Sequence, residues 1–198
     1  MHRSLIENVR KDGILHKLAR SRRRSPVKRA FASLNAQEAL HVAIFIEERN
    51  ANIYRQFSEM FAEFRDPESL EMASAFWEMS KEERDHGTAL QKRYSDRYGT
   101  QACAVTEEEI SDFIEVPRLE NGRMFSVDEV KAGRSPREMA LEIAAAAEEG
   151  ALRFYRGLAE TCQDAELRTL YQDFVNFEAN HSGWLDQKLA QLRQTAGG

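Results

Sequence analysis

The 198-residue sequence predicts an all-α protein, a four-helix bundle with one long crossover and an extra N-terminal helical arm. Three observations carry this expectation. Glycine and proline are scarce, ten and four, while 42% hydrophobic and 31% charged residues suit amphipathic helices around a core. Apolar residues recur at helical spacing over four long stretches bounded by capping or breaking residues. The connectors between those stretches run short, long, short, and none alternates as a strand would.

The chain divides at about residue 34. In residues 1–34, "SLIENVRKDGILHKLARSRRR" reads as a short helix interrupted near Gly13, and Ser25-Pro26 punctuates it. Residues 1–30 hold ten Lys or Arg against Glu7 and Asp12, a charge of +8, which leaves −13 for the rest of a chain of net −5. A basic arm on an acidic body suits an anionic partner, such as another subunit, nucleic acid or lipid, and equally a solvated leader.

The bundle occupies residues 35–198. Asn35 is placed as an N-cap, with Glu38 completing a capping box, and the first helix runs to about Arg65. Asp66 and Pro67 stop it and open the second, which Gly99 closes after Tyr98. The long connector holds one short helix, "TEEEISDFIEV", and a turn at Asn121-Gly122. Ser135-Pro136 opens the third long helix, to about Thr161. A break near Asp164 leads to the fourth, to about Gln194.

Composition narrows the class of function. Cys103 and Cys162 are too few for a disulfide framework and form no CxxC pair, which fits a reducing compartment. No apolar run approaches the roughly 20 residues that span a bilayer, and no apolar segment follows the basic N-terminus as in a signal peptide. A cytoplasmic protein is expected.

The chemistry lies in a repeat. Shifting the first helix by 101 residues lays "IEERNANIYR" over "AEEGALRFYR". Seven residues are nearly two helical turns, so Glu47 shares a face with Tyr54, and Glu148 with Tyr155. The seams read Leu40, Ile44, Glu47, Ala51, Tyr54 and Leu141, Ala145, Glu148, Leu152, Tyr155. The second and fourth helices repeat at an offset of 95. Met72, Phe76, Met79, Glu83, His86, Leu90 matches Leu167, Tyr171, Phe174, Glu178, His181, Leu185. One Glu-x-x-His pair arises easily by chance, but two such pairs and two Glu–Tyr pairs in register on apolar seams point to a duplicated hairpin.

Four carboxylates in a bundle core repel one another, and each costs several kcal/mol to desolvate. Two divalent cations cancel them. Carboxylate oxygen and imidazole nitrogen suit iron, with manganese or zinc as alternatives. A Glu from each of two helices, with Glu-x-x-His from each of the other two, is the ligand pattern of di-iron and di-manganese bundles.

On these motifs, over about residues 35–194, the chain resembles the rubrerythrin, or erythrin, branch of the ferritin-like di-iron superfamily. The resemblance implies a ferritin-like bundle in which Glu47 and Glu148 are terminal ligands, Glu83 and Glu178 bridge two iron ions, and His86 and His181 complete one coordination sphere each. It also implies that Tyr54 and Tyr155 hydrogen-bond carboxylates across the site. Typical rubrerythrins add a rubredoxin-like domain with paired CxxC motifs, which this sequence lacks. They also carry a second glutamate one turn from the third-helix ligand, where Ala145 and Ala151 stand here, so that ligand is either absent or replaced by the neighbouring Glu149; whether Glu48 or Glu149 joins the site is left open by the sequence.

Smaller residues complete the picture. In "AAAAEEGA", 144–151, Gly150 costs up to about 1 kcal/mol relative to Ala within a helix. Small side chains there either leave room beside the metals for O2, peroxide or an ion, or permit close helix packing. Trp77, Trp184 and Cys162 are expected in the core. His41 is expected to be structural or exposed, and Glu48, Glu82 and Asp85 are expected on the surface flanking the ligands. The function implied is a non-haem di-iron oxidoreductase of ferroxidase or peroxidase type, a homodimer acting on Fe(II) with O2 or H2O2, and so tied to iron handling and oxidative stress. A di-iron hydroxylase of an organic or tRNA substrate and a non-catalytic metal-binding module are the alternatives.

Overall fold

The computed structural model describes residues 33–105, 109–110 and 135–196. Four long helices run through it: α1, Ala36–Phe64; α2, Pro67–Tyr98; α3, Pro136–Thr161; and α4, Ala165–Ala196. No strand occurs among the described residues. The expected arm lies outside the described residues except for Ser33 and Leu34. So do the connector turn at Asn121-Gly122 and the short connector helix, apart from Glu109 and Ile110, which are helical.

Local sequence sets the helix ends. Asn35 Oδ1 accepts from the backbone N–H groups of Gln37 and Glu38, both at 3.0 Å, and the Glu38 carboxylate takes the Asn35 N–H at 3.0 Å. Asp66 Oδ1 accepts the Ser69 N–H at 2.9 Å ahead of Pro67. The two-residue link between α1 and α2 is possible because Arg65 adopts a left-handed conformation, φ 58°. Gly99, at φ 61° and ψ −129°, closes α2 in a region that a side chain would disfavour. Ser135 sits at the start of α3 but makes no side-chain cap. Asp164 caps α4 through the Glu166 and Leu167 N–H groups, each at 3.0 Å. Expected helix ends fall within two residues of those observed.

Helices α1 and α2 pack as one hairpin and α3 and α4 as the other. The core has two apolar clusters. One gathers Leu40, Ile46, Leu90, Leu152, Tyr155, Leu158 and Phe174, with Val105 and Ile110 of the connector. The other gathers Tyr54, Phe57, Phe61, Phe76, Met79, Leu141 and Leu185. Seam positions Ile44, Met72 and Ala145 are only half-buried, because a period of 3.6 drifts off a strict 4-3 pattern. Trp77 departs from expectation: it is 46% exposed and outside the core. Trp184 is half-buried, edge-on to Phe76 at 6.4 Å. No described helix is long and apolar enough to cross a membrane.

The hairpins are tied at their ends. Arg137 at the start of α3 reaches the start of α2, donating to Asp66 Oδ1 at 2.5 Å, Glu68 Oε2 at 2.6 Å and Ser69 Oγ at 2.9 Å. Arg97 at the end of α2 reaches Asp164 at 2.7 Å and Glu166 at 2.9 Å. Arg137 is partly buried and serves a capping residue, so Arg137→Ala is expected to cost about 1 kcal/mol. Thermal melting should then show a Tm lower by roughly 2–4 °C; an unchanged Tm would show the link to be idle.

Candidate metal centre

The six residues picked out by the repeat converge between the two core clusters. Glu47 of α1, Glu83 of α2, Glu148 of α3 and Glu178 of α4 are all 0% exposed. His86 and His181 stand at the edge, with side chains 16% and 12% exposed. Their ligand atoms fall into two groups, each within 4.8 Å: Glu47, Glu83, His86 and Glu178, then Glu83, Glu148, Glu178 and His181. Glu83 and Glu178 belong to both groups, so the two groups form candidate half-sites with a shared carboxylate edge.

The donor set fits metal ions on one observation. Glu47 Oε2, Glu148 Oε2, both oxygens of Glu83 and of Glu178, and Nδ1 of each histidine are buried and make no well-aligned hydrogen bond, although His181 Nδ1 and Glu83 Oε1 approach within ion-pair distance, as do His86 Nδ1 and Glu47 Oε2. Native proteins leave only a few such atoms unsatisfied, at a cost of roughly 1–3 kcal/mol each, and seldom cluster them. Eight of the twelve orphaned side-chain atoms among the described residues belong to these six residues, and each of the eight is a good ligand for a divalent cation.

The remaining carboxylate oxygens are tied down by tyrosine. Tyr54 Oη donates to Glu148 Oε1, and Tyr155 Oη donates to Glu47 Oε1. The pairing is crossed, since each tyrosine serves the glutamate of the other hairpin.

A rubrerythrin family model matches residues 38–189, a span that contains all eight of these residues. The chain belongs to the rubrerythrin family. No curated protein and no solved structure matches it.

Electrostatics follow from crowding within this rubrerythrin bundle. Burial, then the charges of Glu47 and Glu148, push the Glu83 carboxyl well above the usual range. Burial and the neighbouring Glu148 do the same to Glu178. Burial also works against ionised Glu148, yet Glu178, His181 and Tyr54 hold its carboxyl below its ordinary value. His181 Nδ1 lies 2.9 Å from Glu83 Oε1 and 3.7 Å from Glu148 Oε1. Burial disfavours its charge, but these carboxylates push the imidazole up to about 11. Burial and the nearby carboxylates drive both tyrosines well above 10, so they stay protonated donors.

Three residues lie closer to the cluster than the sequence reading placed them. Glu82, expected only to flank the site, reaches His181 Nε2 at 2.9 Å. Asn50 is fully buried one turn beyond Glu47, with its Oδ1 taken by Arg49 and its Nδ2 unpaired. Arg49 itself is half-buried and close enough to feel Tyr54, Glu148, Glu47 and Glu83, although burial pulls its pKa down. The signal was available: in the repeat Arg49 and Asn50 face Gly150 and Ala151, so polar groups in α1 correspond to buried small ones in α3. Glu48 and Glu149 do not join the cluster. Both are exposed, with Glu48 on Gln91 and Glu149 at 3.9 Å from Arg153. Asp85 is exposed, His41 lies against Tyr94 at 6.3 Å, and Cys162 packs on the core.

Removing either phenol hydroxyl frees a carboxylate oxygen without disturbing the ring. Tyr54→Phe and Tyr155→Phe are expected to weaken metal binding about 10–100-fold each, the effect usual for a lost outer partner of a ligand. Calorimetric titration measures this, and unchanged affinity in both variants would remove the tyrosines from the centre.

Proposed function

We propose that the chain binds two iron ions between its helices, through Glu47, Glu83, His86, Glu148, Glu178 and His181, and oxidises Fe(II) with O2 or H2O2. The observation behind this reading is the double membership of Glu83 and Glu178: two ligand groups sharing two carboxylates suit a pair of ions a few ångströms apart. Four carboxylates balance two divalent ions, with manganese or zinc as substitutes for iron. Iron held by these six residues would supply electrons, and two electrons with two protons would reduce one H2O2 to two waters.

The chain's own residues act through position. Tyr54 and Tyr155 hold Glu148 and Glu47 by one oxygen and leave the other toward the shared volume. Burial and the nearby carboxylates keep both phenols protonated, so each orients its glutamate as a hydrogen-bond donor. The apolar clusters on either side limit water around the reacting groups. A cytoplasmic homodimer that serves peroxide removal or iron handling belongs to the same reading, and light scattering tests the dimer.

Mixing the Fe(II)-loaded protein rapidly with O2 or with H2O2, while following Fe(III) absorbance, tests the reaction. Oxidation faster than for free Fe(II) is expected. Tight uptake without faster oxidation would make the chain a metal-binding module instead.

A further inference from the structure

The duplication that builds the centre is imperfect beside the two histidines. In the repeat of α2 and α4, the residue before each shared glutamate is Glu82 on one side and Phe177 on the other. Each reaches across to the histidine of the opposite helix. Glu82 Oε2 lies 2.9 Å from His181 Nε2. The Phe177 ring stacks on His86, 4.6 Å between centroids and 30° between planes, and Phe174 meets that imidazole edge-on at 5.1 Å.

The inward nitrogens are alike. His181 Nδ1 is 2.9 Å from Glu83 Oε1, and His86 Nδ1 is 3.3 Å from Glu47 Oε2. The outward nitrogens differ. His181 Nε2 has a carboxylate acceptor, whereas His86 Nε2 has none among the described residues. A neutral histidine can offer Nδ1 to a metal ion only when its proton sits on Nε2. A carboxylate that accepts that proton selects the tautomer, fixes the ring and makes Nδ1 a better donor. A phenyl ring packs against the imidazole and selects neither tautomer.

We propose that Glu82 is a positioning residue for His181, and that it makes the half-site of Glu148 and His181 the one that takes up a divalent metal ion first. The half-site of Glu47 and His86 fills second and exchanges more readily. This inference rests on the two-metal reading above.

Anaerobic titration of the metal-free full chain with Fe(II), followed by calorimetry, tests it. Two steps of unequal affinity are expected. Glu82→Ala should weaken the tighter step about 10–100-fold and leave the other in place. Glu82→Gln, whose amide oxygen still accepts, should recover part of the loss. Phe177→Glu should do the reverse and tighten the weaker step; the residue is 43% exposed, so the change buries no new charge in the core. Nitrogen-15 NMR of the Zn(II)-loaded wild type should show the His181 proton held on Nε2, and held less firmly in Glu82→Ala. If Glu82→Ala leaves both steps unchanged or weakens them equally, while the wild type still takes two ions, this inference fails and the two-metal reading stands. A wild type that takes up no metal defeats both. Should Glu82→Ala fail to fold, Phe177→Glu decides alone: an unmoved weaker step overturns the proposal.

Discussion

Glu83→Ala is expected to abolish uptake of both metal ions, while His86→Ala removes only one. The difference follows from membership. Glu83 supplies an atom to each four-residue ligand group, whereas His86 belongs to only one of them. Losing Glu83 leaves each half-site with three ligands, and one oxygen that could be shared between ions disappears with it. Losing His86 leaves the group of Glu83, Glu148, Glu178 and His181 whole. Metal analysis after anaerobic loading and desalting reads this directly, with two equivalents for wild type, none for Glu83→Ala and one for His86→Ala. Two equivalents retained in Glu83→Ala would show that the ions are held elsewhere. Three remaining carboxylates repel less than four, so the variant is expected to fold.

The second large effect concerns stability, because the centre is costly when its carboxyl groups must face one another. Glu83 and Glu178 have carboxyls raised above their unfolded value of about 4.3. A group raised in the folded state stabilises fully below its unfolded pKa, and that contribution is lost as pH climbs toward the folded value. His181 acts in the same direction: its contribution is complete below about 6.5 and lost as pH rises toward about 11. Glu148, held low, acts oppositely, but its contribution is already present above about pH 4.5. The metal-free protein is therefore expected to melt at lower temperature as pH rises from 6 to 9. Metal ions displace the same protons and bind more tightly over that range. At a hundredfold excess over Kd, each ion adds about 2.7 kcal/mol, so two raise Tm by roughly 10–20 °C. Glu178→Met should raise the metal-free Tm and abolish the metal-induced shift, since it replaces a buried carboxyl with an apolar chain of similar length. A metal-free Tm that is flat or rising between pH 6 and 9 would contradict this account.

Short-range patterns made much of the protein legible. Caps such as Asn35 with Glu38, and Asp66 before Pro67, act within four residues, so the helix ends could be read locally. Glutamates on apolar seams announced themselves because a helix face is fixed by spacing alone, and duplication supplied an internal control. Trp77 was misplaced because an aromatic near a seam still turns outward when it lies off the facing stripe.

The sequence by itself determined four helices, their seams and the six residues that meet on them. Only the tertiary structure decided which hairpin's tyrosine serves which glutamate, and that Glu82 and Phe177 make the two histidines unlike. The physical reason is one of range. Helical periodicity says which side of a helix a residue faces. The axial register between neighbouring helices, set by how all their side chains interlock, says which atoms come within 3 Å across the gap.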